Sequence, residues 1–298
     1  MQTKARRVRS TTGETRSGRA RIPHRAKAWV PAAAVVLMLA VPASAGAVTL
    51  FGSGSSAEQP VLNVLFKTYH QQHHNIKFSY NADGGNQGVK DIQSGRSEFA
   101  VNTRPPLPSD HGTTYIKIFL DGLCVGVNRS NSVGNLSITQ VKNIFLGLTT
   151  SWTGVPGSNL SATIDPVGRD SAAGSYTFFQ QAALGGQTQA SNVLQETSDG
   201  LVATQVSRDP NAIGYVGLSH SGAGSGVKKL KLNGKACSAT NIKRESYPLW
   251  RFIWAVIKTP KKKKHGNPQV AAFINWIATS HAAGRDISKA GAVPAFNK

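Results

Sequence analysis

Acidic residues are scarce in this 298-residue chain: 14 Asp+Glu stand against 34 Lys+Arg, giving a formal charge of +20, and only 16% of residues are charged. Cysteine and methionine are scarcer, with two of each. Two cysteines exclude a miniprotein held by a dense disulfide framework. Glycine does not recur at every third position, which excludes collagen, and a 40% hydrophobic share is too high for a disordered chain. Absent motifs narrow the function. There is no Gly-x-x-x-x-Gly-Lys-Ser/Thr phosphate loop, the Gly-x-Gly at Gly52 to Gly54 lacks its third glycine in register, and no Gly-x-Ser-x-Gly marks a serine hydrolase. His70, His73 and His74 have helix-compatible spacing, but they sit at a polar helix end, where solvation is a simpler account than metal binding. What remains is a globular chain of one large or two medium domains, for which no enzymatic activity, no cofactor and no metal are expected.

The positive charge is unevenly spread. Residues 1–30 hold nine Lys/Arg and one acid, Glu14, and are followed by an apolar run at 28–41 and then Pro42-Ala-Ser-Ala-Gly-Ala. A basic stretch, a short apolar stretch and an Ala-x-Ala site predict a secretory signal peptide over 1–45, cleaved after Ala45 or Ala47; the apolar run is shorter than the ~20 residues that span a bilayer. No cysteine stands at that site, so lipid attachment is unsupported, and the protein is expected in the periplasm or at the cell surface. Outside this segment, Lys228, Lys229, Lys231 and Lys235 form one basic group, and Lys261, Lys262, Lys263, Lys264 and His265 another. Solvated loops are their first reading and attraction to an anionic cell-wall polymer the second. Nucleic acid is not expected, because aromatic interleaving is missing. In an oxidising compartment Cys124 and Cys237 become a disulfide candidate, with two free thiols as the alternative.

Strand-like and helix-like stretches alternate after the signal, the pattern of an α/β fold with a mainly parallel sheet. Strands are predicted at 48–51, 76–80, 98–102, 115–128, 162–168, 213–216 and 227–232. Helices are predicted from Gln59, over 88–93, from a capping box at Ser137-Ile-Thr-Gln to Phe145, over 175–184, and from a Ser198 cap to Val206. Tyr247 to Lys258 forms a long aromatic and apolar stretch. A final helix carries Val270, Phe273, Ile274 and Ile277 at i, i+3, i+4 and i+7.

Three turns rich in small residues stand at strand-to-helix junctions: Gly52-Ser-Gly-Ser-Ser-Ala57, Asp83-Gly-Gly-Asn-Gln-Gly88 and Gly168-Arg-Asp-Ser-Ala-Ala-Gly-Ser175. At such a junction the unpaired N–H groups of the first helical turn point outward, the helix dipole favours negative charge, and small residues let an anion approach. Taken singly, each is an ordinary N-cap. Together, and with Arg169 in one of them, they point to an oxyanion held between lobes.

In the same order and spacing, Gly52-Ser-Gly-Ser-Ser-Ala-Glu-Gln-Pro60, Gly88-Val-Lys-Asp-Ile92, Glu98-Phe-Ala-Val-Asn-Thr-Arg-Pro105, Val167-Gly-Arg-Asp-Ser-Ala-Ala-Gly-Ser-Tyr-Thr-Phe-Phe179 and Ile213-Gly-Tyr-Val-Gly217 resemble the phosphate-binding proteins of ABC-type phosphate importers. The resemblance runs over residues 48–294. It implies a periplasmic-binding-protein-like fold: two α/β lobes, hinge strands between them, and an anion cleft at their interface. Lobe 1 would combine 46–116 with 246–298, and lobe 2 would be 117–245. It also implies a monomer that captures inorganic phosphate and delivers it to an ABC permease. By the same likeness the ligand would meet Ser55, Ser56, the Ala57 N–H, Gly85, Asn86, Thr103, Arg169, Gly174 and Ser175. Arg104 would either reach the anion or close the cleft. Three positions depart from the family. Gly85 stands where serine is usual, Ala173 replaces a common serine, and Thr103 lies where many members carry the aspartate that accepts the proton of hydrogen phosphate. That last change makes another oxyanion, sulfate or molybdate, the alternative ligand. A surface protein that kept the fold and lost transport is a further alternative.

Overall fold

The computed structural model describes residues 46–260 and 266–295. The signal predicted over 1–45, and Lys261, Lys262, Lys263, Lys264 and His265, lie outside the described residues. Strand β1 (Val48–Gly54) leads through the first small-residue turn into helix α1 (Gln59–Gln72). Proline in the first turn of α1 loses no helical hydrogen bond there, and Val61, Leu62, Leu65 and Tyr69 form its buried stripe. Strand β2 (Ile76–Asn81), helix α2 (Gly85–Ser94) and strand β3 (Phe99–Asn102) follow. Helix α2 starts earlier than residue 88, because Gly85, Asn86 and Gln87 join its first turn instead of the preceding loop.

Strand β4 (Thr113–Asn128) is 16 residues long and buried at every position from Ile118 onward, so it shows no alternation. Beyond the short strand β5 (Asn135–Leu136), helix α3 (Ile138–Phe145) opens on the predicted capping box, with Ser137 and Gln140 bonding each other's backbone N–H. Next come β6 (Asp165–Arg169), α4 (Gly174–Ala182), β7 (Leu194–Glu196), α5 (Asp199–Arg208), capped by Ser198, and β8 (Ala212–Gly217). The basic group falls on β9 (Val227–Lys229), β10 (Lys231–Leu232) and β11 (Lys235–Ala236). Helix α6 (Ala239–Lys243) precedes β12 (Trp250–Lys258), α7 (Pro268–Thr279), α8 (His281–Lys289) and β13 (Val293–Pro294). The predicted helix carrying Val270, Phe273, Ile274 and Ile277 is α7, and α8 follows it as a further helix, capped by Ser280, whose hydroxyl accepts from Ala282 N.

The main sheet runs β2-β1-β3-β12-β4-β8-β6-β7. It is parallel at both ends, where β1 pairs β2 and β3, and where β6 pairs β7 and β8. Its middle is antiparallel: β12 pairs β3 and β4, and β4 pairs β8. Helix–strand alternation describes each end, and the long strands β4 and β12 depart from it. Two large hydrophobic clusters flank this seam. One gathers Leu50, Leu65, Phe99, Phe119 and Phe273; the other gathers Leu123, Phe145, Trp152, Phe179 and Tyr215. Strand β4 feeds both. Cys124 and Cys237 are bonded, their Cα atoms 5.6 Å apart across 113 residues of sequence, and both are buried in the second cluster.

Candidate functional site

The first junction places Ser55, Ser56 and Ala57, all buried, just ahead of α1. Ser55 N donates to Val101 O and Tyr80 Oη donates to Ser55 O, fixing this turn against β3 and β2. The Ser56 hydroxyl is buried and has no hydrogen-bond partner among the described residues. Gly174 and Ser175 open α4, and Ser175 Oγ lies 3.4 Å from Thr103 Oγ1, which follows β3. Arg251 on β12 ties these groups together: its Nη1 donates to Ser175 Oγ at 3.0 Å, and its Nη2 lies 3.7 Å from Glu58 Oε1 beside the first junction. Nε and Nη2 also donate to Asp121 Oδ2 on β4, at 3.2 and 2.8 Å.

Arg169 is buried at the end of β6. Its guanidinium is paired with Asp199, the first residue of α5, and donates to the carbonyls of Glu196 and Thr197. Three of its five N–H groups are committed by these bonds. Asp199 Oδ1 accepts from Gly217 N and Asp121 Oδ1 from Leu218 N, so the end of β8 links the two ion pairs. Two guanidiniums and three carboxyls therefore form one buried cluster between the starts of α1 and α4.

Asn86, Gly85 and Arg104 lie at the seam between α2 and the turn before α4, where Gly85 and Gly174 both abut Asn102. Asn86 Nδ2 donates to the Ser171 and Ala173 carbonyls and to Thr177 Oγ1, and its N donates to Ala172 O at 2.9 Å. Its Oδ1 accepts from Arg104 Nε at 2.6 Å, while the rest of that guanidinium grips both oxygens of Asp110 at 2.6 and 3.0 Å. The absent side chain at Gly85 has a local cause: a Cβ there would stand 2.4 Å from Asn102 Oδ1. Asn102 occupies that space because it holds the backbone of the next turn, accepting from Thr103 N and donating to Gly85 O.

Residues 40–281 match the family model of the PBP superfamily domain. The chain belongs to this superfamily. Among curated relatives, the protein SphX of Synechococcus elongatus is 28% identical over 91% of this chain and 85% of its own. The phosphate-binding protein PstS of Staphylococcus epidermidis is also 28% identical, over 72% of this chain and 70% of its own. A substrate-binding protein from Clostridium perfringens, solved with bound phosphate, superposes with a TM-score of 0.76 at 23% identity, covering 83% of this chain and 99% of its own. An ABC-type phosphate transport receptor from Vibrio cholerae gives 0.66, also at 23%, covering 82% and 99%. At these identities the structural likeness establishes the α/β fold.

In this PBP superfamily domain the sequence motifs locate the helix starts and miss the charges behind them. Asp121, Asp199 and Arg251 carry no motif, and Glu58, which stands inside the block from Gly52 to Pro60, is given no role there. Two of them do leave a trace: Asp121 and Arg251 are lone charges in apolar strand-like runs, Leu120-Asp-Gly-Leu123 and Trp250-Arg-Phe-Ile253. A charge buried in such a run needs an opposite partner. Burial pushes the Asp199 carboxyl up, but Arg169 foremost, together with His220, the Gly217 N–H and Arg251, holds it below its ordinary value. Glu58 moves the other way: burial, then the charges of Asp121 and Asp199, raise it well above the usual range against the pull of Arg251. Among the described residues no group of three or more His, Cys, Asp or Glu is placed to hold a metal, and no helix is long and apolar enough to cross a membrane.

Proposed function

We propose that this chain is an exported, non-enzymatic receptor that captures inorganic phosphate between two lobes and delivers it to the permease of an ABC transporter. The observation that carries this reading is the convergence of two helix starts, α1 and α4, with a buried and unpartnered Ser56 hydroxyl and two buried guanidiniums. Oriented N–H groups and hydroxyls in a water-poor gap replace the hydration shell of a tetrahedral anion, and the helix dipoles favour its charge. Ser55, Ser56, Ala57, Thr103, Arg169, Gly174 and Ser175 form the cradle. Gly85, Asn86 and Arg104 fasten the seam beside it. The relatives described as phosphate-binding support phosphate as the ligand. Two separate hydrophobic clusters support two lobes joined through β4 and β12; lobes of 46–116 with 246–298, and of 117–245, follow them except at Ile118 and Phe119, which pack in the first cluster, and at Tyr247, Leu249 and Val293, which pack in the second.

Isothermal titration of the purified protein with phosphate tests the proposal. One saturable site per chain is expected, lost in Arg169→Ala and weakened in Ser175→Ala, a milder variant that leaves the Arg169–Asp199 pair whole. Absence of binding at about 1 mM phosphate, a free energy weaker than about −4 kcal/mol, would refute it.

A further inference from the structure

Glu58 has no part in the cradle described so far, yet it is 1% exposed and its Oε1 has no hydrogen-bond partner among the described residues. Its neighbours are all engaged. Asp121 accepts from Leu218 N on Oδ1 and from Arg251 on Oδ2; Asp199 accepts from Gly217 N on Oδ1 and from Arg169 on Oδ2. Arg251 Nη2, the nearest guanidinium nitrogen, stands 3.7 Å from Glu58 Oε1, beyond hydrogen-bond reach. Two guanidiniums already balance two carboxylates. A third ionised carboxylate would be uncompensated, buried, and set beside the place where an anion must sit. The groups facing Glu58 are Asp121 from β4, Arg251 from β12, Asp199 from α5 and Tyr80 from β2. His220, just beyond β8, has its Nε2 3.3 Å from Ser56 O. Burial, the charges of Asp121 and Asp199 and a side-chain hydrogen bond with Asp121 raise the Glu58 carboxyl together, with Arg251 the opposing influence.

The rest of the cradle compels no acceptance of a ligand proton. Ser56, Thr103 and Ser175 are hydroxyls, which can turn to donate or to accept. Ser175 Oγ already accepts from Arg251, which leaves its own proton for Thr103 Oγ1 or for a ligand.

We propose that Glu58 supplies the proton of the bound complex, so that the cradle takes fully deprotonated tetrahedral dianions such as sulfate alongside phosphate and loses sulfate as Glu58 ionises with rising pH. The inference rests on the cradle being an anion site. The raised Glu58 value sets the sign. A bound dianion raises it further, so between the empty and the occupied values binding takes up one proton. Affinity is flat below that window and falls about tenfold per pH unit within it.

Sulfate is the probe, because it has no proton to lose near neutrality and any slope belongs to the protein. The protein is titrated with sulfate from about pH 5 to 9, and the wild type is also titrated in two buffers of different ionisation heat, which reports proton uptake directly. Expected are sulfate binding at the acid end, a fall of about tenfold per unit above it, and uptake of about one proton. Glu58→Gln, which keeps a donor and cannot ionise, is expected to bind sulfate without that slope. Phosphate binding with no sulfate binding at any pH would overturn the inference and leave the phosphate reading standing. So would a slope that persists in Glu58→Gln, or the absence of proton uptake. Failure to bind either anion would remove the phosphate reading as well.

Discussion

Substituting Gly174 by alanine separates closure from folding. Gly174 opens α4 and has an ordinary negative φ, so alanine is compatible with its backbone. The obstacle is across the seam: a Cβ at Gly174 would stand 2.1 Å from Asn102 Oδ1 and 2.8 Å from Thr103 Oγ1. Asn102 cannot easily retreat, because it is fully buried and holds Thr103 N at 2.8 Å and Gly85 O at 3.0 Å. Forcing a methyl group into such packing costs about 1–3 kcal/mol. If the halves separate when the anion is absent, the open form accommodates the methyl group and the whole penalty falls on the closed, liganded form. The phosphate Kd then rises about 5- to 150-fold, while the melting temperature of the ligand-free protein stays within about 1 °C of wild type. Calorimetric titration and thermal unfolding without phosphate give the two numbers. An additional Asn102→Ala change should restore part of the lost affinity by clearing the clash. Wild-type affinity in Gly174→Ala would refute the reasoning. So would a ligand-free protein that loses the full penalty, about 2–4 °C per kcal/mol for a domain of this size, since the halves would then meet whether or not ligand is bound.

Two further outcomes concern stability. Reduction of the Cys124–Cys237 bond, which closes a loop with a sequence separation of 113, is expected to lower unfolding free energy by about 2–5 kcal/mol in urea melts with and without dithiothreitol. Asp110 is held below its ordinary carboxylate value, against the upward push of burial, by hydrogen bonds from Arg104, Leu107 N and Tyr115. A depressed carboxyl contributes stability that is complete above its unfolded value near pH 4 and is lost as pH falls through the lower folded value. Asp110→Asn should therefore cost about 1–3 kcal/mol at pH 7, and the gap to wild type should narrow below about pH 4. A gap that stays constant down to about pH 2 would disprove this assignment.

The helices and strands were legible where local rules suffice. Ser137 and Gln140 announced α3 through their capping box, the Val61, Leu62, Leu65 stripe announced α1, and Ser198 announced α5. Errors fell where a choice depends on what lies across the molecule. Gly85 to Gln87 read as a loop because of their glycine and asparagine, yet they complete a helical turn: Asn86 and Gln87 donate their N–H groups to Ala172 O, a partner nearly 90 positions away in sequence. Helix α8 went unpredicted, and the role of Ser280 as its cap appears only because the chain turns there to pack α8 on α1 and α7.

The candidate site divides along the same line. Helix starts rich in glycine and serine are local, and all three could be found from the sequence. The buried charges are not local. Asp121 and Arg251 are 130 residues apart, and Arg169 and Asp199 are 30 apart. A solitary charge in an apolar run says that it must be paired; it cannot say with what. The β4–β12 pairing supplies that answer, because it aligns Arg251 with Asp121 in register across the strands that both hydrophobic clusters share. The ion pair that positions Arg251 against Ser175 thus sits on the two strands that, in a two-lobed receptor, would bend during closure. A change that moves β12 along β4 would shift Arg251 relative to both Ser175 and Glu58. In the proposed receptor, geometry at the seam and protonation at the cradle would for that reason be one coupled variable.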